Sequence, residues 1–182
     1  MRLVRHSRHA AAHVRAPGAR GQSLVEFALV MMPLFIILLG IIQFGFIFNS
    51  YVTITNATRE GARLGTVYVY KPAEFKVVND DLRNDSIKAA VLASMNMLSK
   101  TSPHFATSGA WVKSGLTFTD GDLVVTYSNP NGVLETDART GQQITVRATY
   151  HQDLIIPLIA QMLPRDANGR LGLTSEVTMV LN

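Results

Sequence analysis

The 182-residue chain contains no cysteine. That excludes disulfides, thiolate zinc sites and a cysteine nucleophile together. It has a single tryptophan, and only 16% of its residues are charged. No acid precedes Glu26, and between Glu26 and Arg59 no charged residue of either sign occurs. Phosphate loops, G-x-S-x-G elbows and H-E-x-x-H helices are also missing, as are internal repeats and low-complexity blocks. The sequence therefore assigns no catalytic residue, no cofactor and no metal, and the chain reads as a non-enzyme.

A net charge of +4 and a pI near 9.6 would suit a nucleic-acid partner, but the placement of the charge removes that reading. Residues 1–20 hold Arg2, Arg5, Arg8, Arg15 and Arg20 and no acid, so the rest of the chain sums to −1. A near-neutral body offers no field to a polyanion. The leader, with its Pro17-Gly18 break, reads as a disordered basic tail. Its three histidines, His6, His9 and His13, lack the ordered scaffold that metal ligands need. Positive residues beside an apolar helix stay on the cytoplasmic side, which puts the N-terminus inside and the C-terminal body outside.

What is present is a long apolar run. Phe27 to Phe48 is 22 residues, interrupted only by Pro33, Gly40, Gln43 and Gly45. As a helix it measures about 33 Å, against a hydrocarbon core of roughly 30 Å. A core helix of a soluble protein would be shorter and would show a polar face. A removable signal peptide would have a shorter run and a small-residue cleavage site after it, which FNSYVTITNA lacks. The run is therefore expected to be an anchor. Beyond it, Ala57, Gly61 and Gly65 stand four apart and form a stripe that allows close helix packing, either onto the protein's own domain or onto another subunit. Glu60 and Arg63, at i and i+3, can pair across one turn.

Glu26 is the odd residue, because a carboxylate at the start of a membrane helix is costly unless shallow, protonated or paired. A cut between Gly21 and Gln22 would create an α-amino group four residues away. That group could pair with Glu26 of the same chain or of a neighbour.

These residues carry a resemblance. The basic leader ending in Gly21, followed by Gln-Ser-Leu-Val-Glu-Phe and an apolar helix, resembles the type IV prepilin class. Within it, residues 21–66 resemble the TadE-like family of Tad (tight adherence) pilus-assembly pseudopilins. The matching residues are Val25 to Val30, Pro33, Gly40-Ile41-Ile42, Phe44-Gly45, Thr55-Asn56-Ala57 and Arg59 to Arg63. Gln43 stands where the family often has an acid and Phe46 where it often has a basic residue. The resemblance implies a bacterial cytoplasmic-membrane protein, cut after Gly21 by a prepilin peptidase. Gly21, Gln22, Glu26 and Phe27 would be the processing residues. Other Tad assembly proteins or pilins would be its partners, and Ala57, Gly61 and Gly65 its packing residues.

The remainder, residues 67–182, resembles no family and is read from its pattern. Asn84 or Asp85 can cap a helix over about 86–99, with Ile87, Ala90, Val91, Met95 and Leu98 on its buried face and Ser102-Pro103 closing it. The methionines read as core filler. Trp111–Thr119 and Leu123–Ser128 flank Asp120-Gly121 as a hairpin. Asn129 to Gly132 forms a turn, with loop up to Gly141. Ile144, Val146, Ala148 and Tyr150 alternate as a half-buried strand, and Leu171–Leu181 is a further strand. Leu154–Leu163 is too short to span a membrane and reads as a buried or interfacial turn of helix. His151 and Asp153, two apart at a strand end, read as a structural hydrogen-bond pair. Asn56-Ala57-Thr58 and Asn84-Asp85-Ser86 fit a glycosylation sequon that is too short to weigh.

The expected architecture is α+β and pilin-like. It comprises a leader at 1–21, a transmembrane and extended helix at 22–66 and an extracytoplasmic domain with a helix and an antiparallel sheet at 67–182. The alternatives are an uncleaved, signal-anchored extracytoplasmic binding domain and, behind it, a membrane-tethered hydrolase.

Overall fold

A computed structural model describes residues 19–96, 98, 105–128 and 139–182. Most of the basic leader, the Ser102-Pro103 stop and the Asn129–Gly132 turn lie outside the described residues. The fold is α+β: helix α1 (Ala19–Thr66), helix α2 (Lys76–Met95), strands β1 (Val112–Ser114), β2 (Thr117–Asp120), β3 (Leu123–Tyr127) and β4 (Gln143–Gln152), the short helix α3 (Pro157–Ala160) and strand β5 (Leu171–Val180).

Helix α1 is 48 residues, about 72 Å long, and Pro33 lies inside it. The described chain divides within this helix into two compact units that meet at Leu39 and Gly40. In the first unit every side chain from Gly21 to Leu39 is exposed except the half-buried Met31. From residue 40 onward α1 belongs to the second unit, and a regular stripe goes into its core. Gln43, Ser50, Ile54, Ala57, Thr58, Gly61, Ala62 and Gly65 are buried and Ile47 is half-buried. The steps of three and four residues are those of a single helix face.

The second unit is a five-stranded antiparallel sheet in the order β1-β2-β3-β4-β5, with α2 and residues 40–66 of α1 packed into a common core. Alternation builds the sheet face: Ile144, Val146, Ala148 and Tyr150 of β4 are buried, in register with β3 and β5. The opposite face carries cross-strand threonine pairs, with Oγ1 atoms 3.2 Å apart for Thr117–Thr126, 2.8 Å for Thr145–Thr178 and 3.0 Å for Thr149–Thr174. Such pairs are the unit of sheet stabilisation on a solvated face.

Two expectations are corrected. The region read as one strand over Trp111–Thr119 is two, β1 and β2, because the chain reverses at Gly115-Leu116, where Gly115 has φ +61°. The next turn is Gly121-Asp122, one residue later than the Asp120-Gly121 expected, with Asp120 paired to Leu123. Gly121 has φ +59°, and any Cβ there would collide with the Ala106 carbonyl.

The second correction concerns α2, which begins at Lys76, ten residues before the expected start. Asn84 therefore lies inside the helix, and Phe75 holds the N-cap position without a side-chain cap. The physical reason is that the face this first half buries is polar. Asn79, Asp80, Arg83 and Asn84 are buried, so apolar periodicity could not reveal it. Arg139, distant in the chain, supplies the partner: its Nε and Nη2 donate to Asp80 at 2.9 and 2.7 Å in a two-point pair. The Arg139 guanidinium also lies 4.6 Å from the Tyr127 ring centroid, and the Tyr127 hydroxyl donates to Asn84 Oδ1 at 2.6 Å. Burial pushes the Tyr127 hydroxyl well above its ordinary pKa, so it stays a donor. Asn79 holds the α1–α2 connection, accepting from Lys71 N–H at 2.9 Å and donating to the Lys71 and Glu74 carbonyls.

Candidate functional site

The residues expected to be read in processing, Gly21, Gln22, Glu26 and Phe27, lie within the first nine residues of α1. Gly21 has open space around it: a Cβ there would meet no atom within 4 Å. Among the described residues no packing requires its glycine, although glycine in a helix costs about 1 kcal/mol relative to alanine. Gln22 Nε2 donates to Glu26 Oε1 at 3.1 Å, so the two residues share one helix face. Leu24, Val25 and Phe27 surround them with exposed apolar surface.

The packing residues lie at the other end of the helix, against α2. A Cβ on Gly61 would come within 2.5 Å of Val91 Cγ2, and one on Gly65 within 2.9 Å of Ile87 Cδ1 and 3.1 Å of Ile144 Cδ1. Ala57 is fully buried beside them. The small residues thus let α1 approach α2 and the sheet within the same chain. Glu60 and Arg63, on the exposed side, form the expected pair, with Nη2 to Oε1 at 2.6 Å and Nε to Oε2 at 2.9 Å. The hydrogen bonds from Arg63 hold the Glu60 carboxyl below its ordinary range. Asn56 sits mid-helix, and Asn84 is buried.

A further feature was missed in the sequence. Gln43, inside the apolar run, is 1% exposed. Its Oε1 accepts from the Ile155 backbone N–H at 2.8 Å, and its Nε2 donates to the Asp153 carbonyl at 3.3 Å. Two turns further on, Ser50 Oγ donates to Gln152 Oε1 at 2.6 Å. Together they hold the end of β4 and the start of the α3 loop against the helix. The signal available in advance was a lone amide amid aliphatics, which has to find a buried partner.

His151 and Asp153 do not pair, contrary to expectation. β4 ends at Gln152, so the alternation that would place them on one face stops between them. His151 Nε2 faces Asp122 Oδ1 at 3.1 Å and Nδ1 faces Asp166 Oδ2 at 2.9 Å, while Asp153 accepts from Arg170 Nε at 3.0 Å. The carboxylates lie on opposite edges of the ring, so they converge on no common point. Among the described residues no group of three or more His, Asp or Glu is arranged to hold a metal. Hydrogen bonds from the Arg170 and Asn168 backbone and from His151 keep Asp166 below the usual carboxylate range against some desolvation.

Gly21–Thr66 is long and apolar enough to cross a membrane, and its most apolar window is wholly uncovered, as a single-pass anchor requires. The same helix matches a family model, that of the TadE-like protein, over residues 21–63. Residues 21–63 are a TadE-like segment. The match takes in Gly21, Gln22, Glu26, Phe27, Gln43, Ala57 and Gly61 and stops short of Gly65 and the whole sheet. Comparison with curated proteins gives no match, and comparison with solved structures gives none either.

Proposed function

We propose that this chain is a Tad pseudopilin or minor pilin that assists assembly of a tight-adherence pilus and is matured by a prepilin peptidase between Gly21 and Gln22. The observation that carries the reading is the TadE-like match at residues 21–63, which falls on helix α1 and begins at the proposed cut. The uncovered packing space at Gly21 supports it, because a glycine the fold does not need is explained by a requirement of the enzyme that reads the site. Glu26 supports it as well. The Gln22 side chain reaches Glu26 across one turn, which supports a pairing of that carboxylate with an α-amino group formed on Gln22 of the same chain or of a neighbour.

In this reading the bacterial cytoplasmic membrane holds α1, with the leader cytoplasmic and the sheet domain extracytoplasmic. The work is done by packing and not by catalysis. Residues 22–39, exposed apart from the half-buried Met31, pack against pilins or other Tad assembly proteins, while Ala57, Gly61 and Gly65 brace the helix inside the domain.

N-terminal sequencing and intact mass of the protein from cells with a functional prepilin peptidase test this. The expected mature chain starts at Gln22, and Gly21→Leu, which crowds the site, is expected to leave the leader in place. A wild-type chain that still starts at Met1 would overturn the processing and favour an uncleaved, signal-anchored domain.

A further inference from the structure

We infer that Leu154–Leu163, the loop carrying α3, is a second membrane contact whose apolar side chains enter the headgroup and acyl boundary of the phospholipid bilayer beside α1. The inference rests on α1 spanning the membrane.

The loop is fixed to the helix at a definite level. Gln43 holds Asp153 and Ile155 by their backbones, and Ile159 Cδ1 would lie 3.4 Å from a Cβ on Gly40. Gly40 and Gln43 are eight and five residues before Phe48, where the apolar run ends. Along the helix axis those separations are about 12 and 7.5 Å. Interfacial segments bury their apolar faces roughly 5–10 Å into this boundary, so a span that places α1 in lipid carries the loop to the same depth.

The composition of the loop agrees with that level. No charged residue occurs between Asp153 and Arg165. Ile155, Leu158 and Met162 are 68%, 52% and 82% exposed, a high exposure for three large apolar side chains within eight positions. The helix shows lipid-suited side chains at the same level, with Ile41, Ile42, Phe44 and Phe46 all exposed. Charge returns only where the loop leaves, with Asp153 bonded to Arg170 and Arg165 exposed. A backbone that strays from regular structure at this depth needs its polar groups satisfied within the protein, and Gln43 does that for Asp153 and Ile155. An apolar residue at position 43 would take this acceptor from the Ile155 N–H, while the Asp153 carbonyl would keep Gln152 Nε2 at 3.2 Å.

The absence of native cysteine makes a direct test simple. Single-cysteine variants Phe35→Cys, Leu158→Cys, Met162→Cys and Glu176→Cys of the full chain carry an environment-sensitive fluorophore. Each is placed at one chain per nanodisc, in phospholipid brominated in the upper acyl chain. Near-ultraviolet dichroism from Trp111 checks that each variant is folded, and Ile155→Cys replaces either loop variant that is not. The expected result is several-fold stronger quenching at positions 158 and 162 than at 176 on the sheet. Quenching at 35 with none above the Glu176→Cys level in the loop would overturn the inference and leave the anchor intact. Lack of quenching at 35 would overturn the anchor and the inference together. Protection of the loop that arises only with two chains per disc, without bromolipid quenching, would also overturn it, since a second copy would then be the cover.

Discussion

The two halves of α1 have the same helical backbone and opposite surroundings. From Gly21 to Leu39 the side chains are exposed all round apart from Met31, and the residues are almost entirely apolar. From Gly40 to Thr66 one face is buried, and around Ile47 and Ile54 that face is built of small and polar residues, Gln43, Ser50, Ala57, Thr58, Gly61 and Gly65 among them. The apolar half is exposed and the polar-striped half is packed. Hydrophobicity along this helix therefore marks what lies outside the fold, and the interruptions mark where the fold is attached.

The largest expected effect comes from the buried charge in the packed unit. Asp80→Ala leaves the Arg139 guanidinium buried without its carboxylate, which should cost about 3–5 kcal/mol. Denaturant unfolding in detergent, followed by Trp111 fluorescence, measures it, with Leu29→Ala in the exposed half as a control that should leave the midpoint unchanged. Next is Gly61→Val, which drives a branched side chain into Val91 and Ile87 and should destabilise by about 1–3 kcal/mol. Gly45→Val, with no atom within 4 Å of its Cβ, lacks that clash and should unfold near the wild-type midpoint. If both glycines responded alike, the division of the helix into bare and packed faces would be wrong.

Gln43→Leu should cost about 1 kcal/mol, because it takes the acceptor from the Ile155 N–H at the start of the α3 loop, while the Asp153 carbonyl keeps Gln152 Nε2. Hydrogen exchange at Ile155 should rise in that variant ahead of exchange in β4. The smallest effect is on pH. Burial alone would raise the Asp120 carboxyl, but hydrogen bonds from the Ser108 backbone and hydroxyl and from Lys88 outweigh it and hold the group below its ordinary range. Asp166 is depressed as well. A depressed carboxyl stabilises the fold at any pH above its unfolded value and loses that contribution as the pH falls through the folded value. Stability of the sheet unit should therefore decline from about pH 4 downward. Asp120→Asn should flatten the decline, whereas apolar substitutions in residues 21–39 should not alter it.

The legibility of the fold followed the range of the interactions involved. Strands β4 and β5 were readable because alternation between adjacent residues is enough to show a half-buried strand. The late part of α2 was readable from Ile87, Ala90, Val91 and Met95. Its first ten residues were not, because Asp80 takes its partner from position 139 and Asn84 from position 127. The His151–Asp153 pair failed for a similar reason, since the carboxylates that reach His151 come from the β2–β3 turn and from the α3–β5 connection. At the candidate site, Gly21 and Glu26 could be picked out from their neighbours, whereas Gln43 could only be recognised as an interruption.

The sequence by itself determined that a 22-residue apolar run would seek lipid, that an α+β body would follow it, and that residues 21–66 resemble a TadE-like helix. These depend on composition and local period. Only the tertiary structure decided that the small-residue stripe packs on α2 of the same chain, that the buried end of α2 is polar, and that Gln43 ties a loop to the helix within the apolar run. Each of those needs a partner from far along the chain. A polar residue shows which bonds it must make but not which segment will supply them.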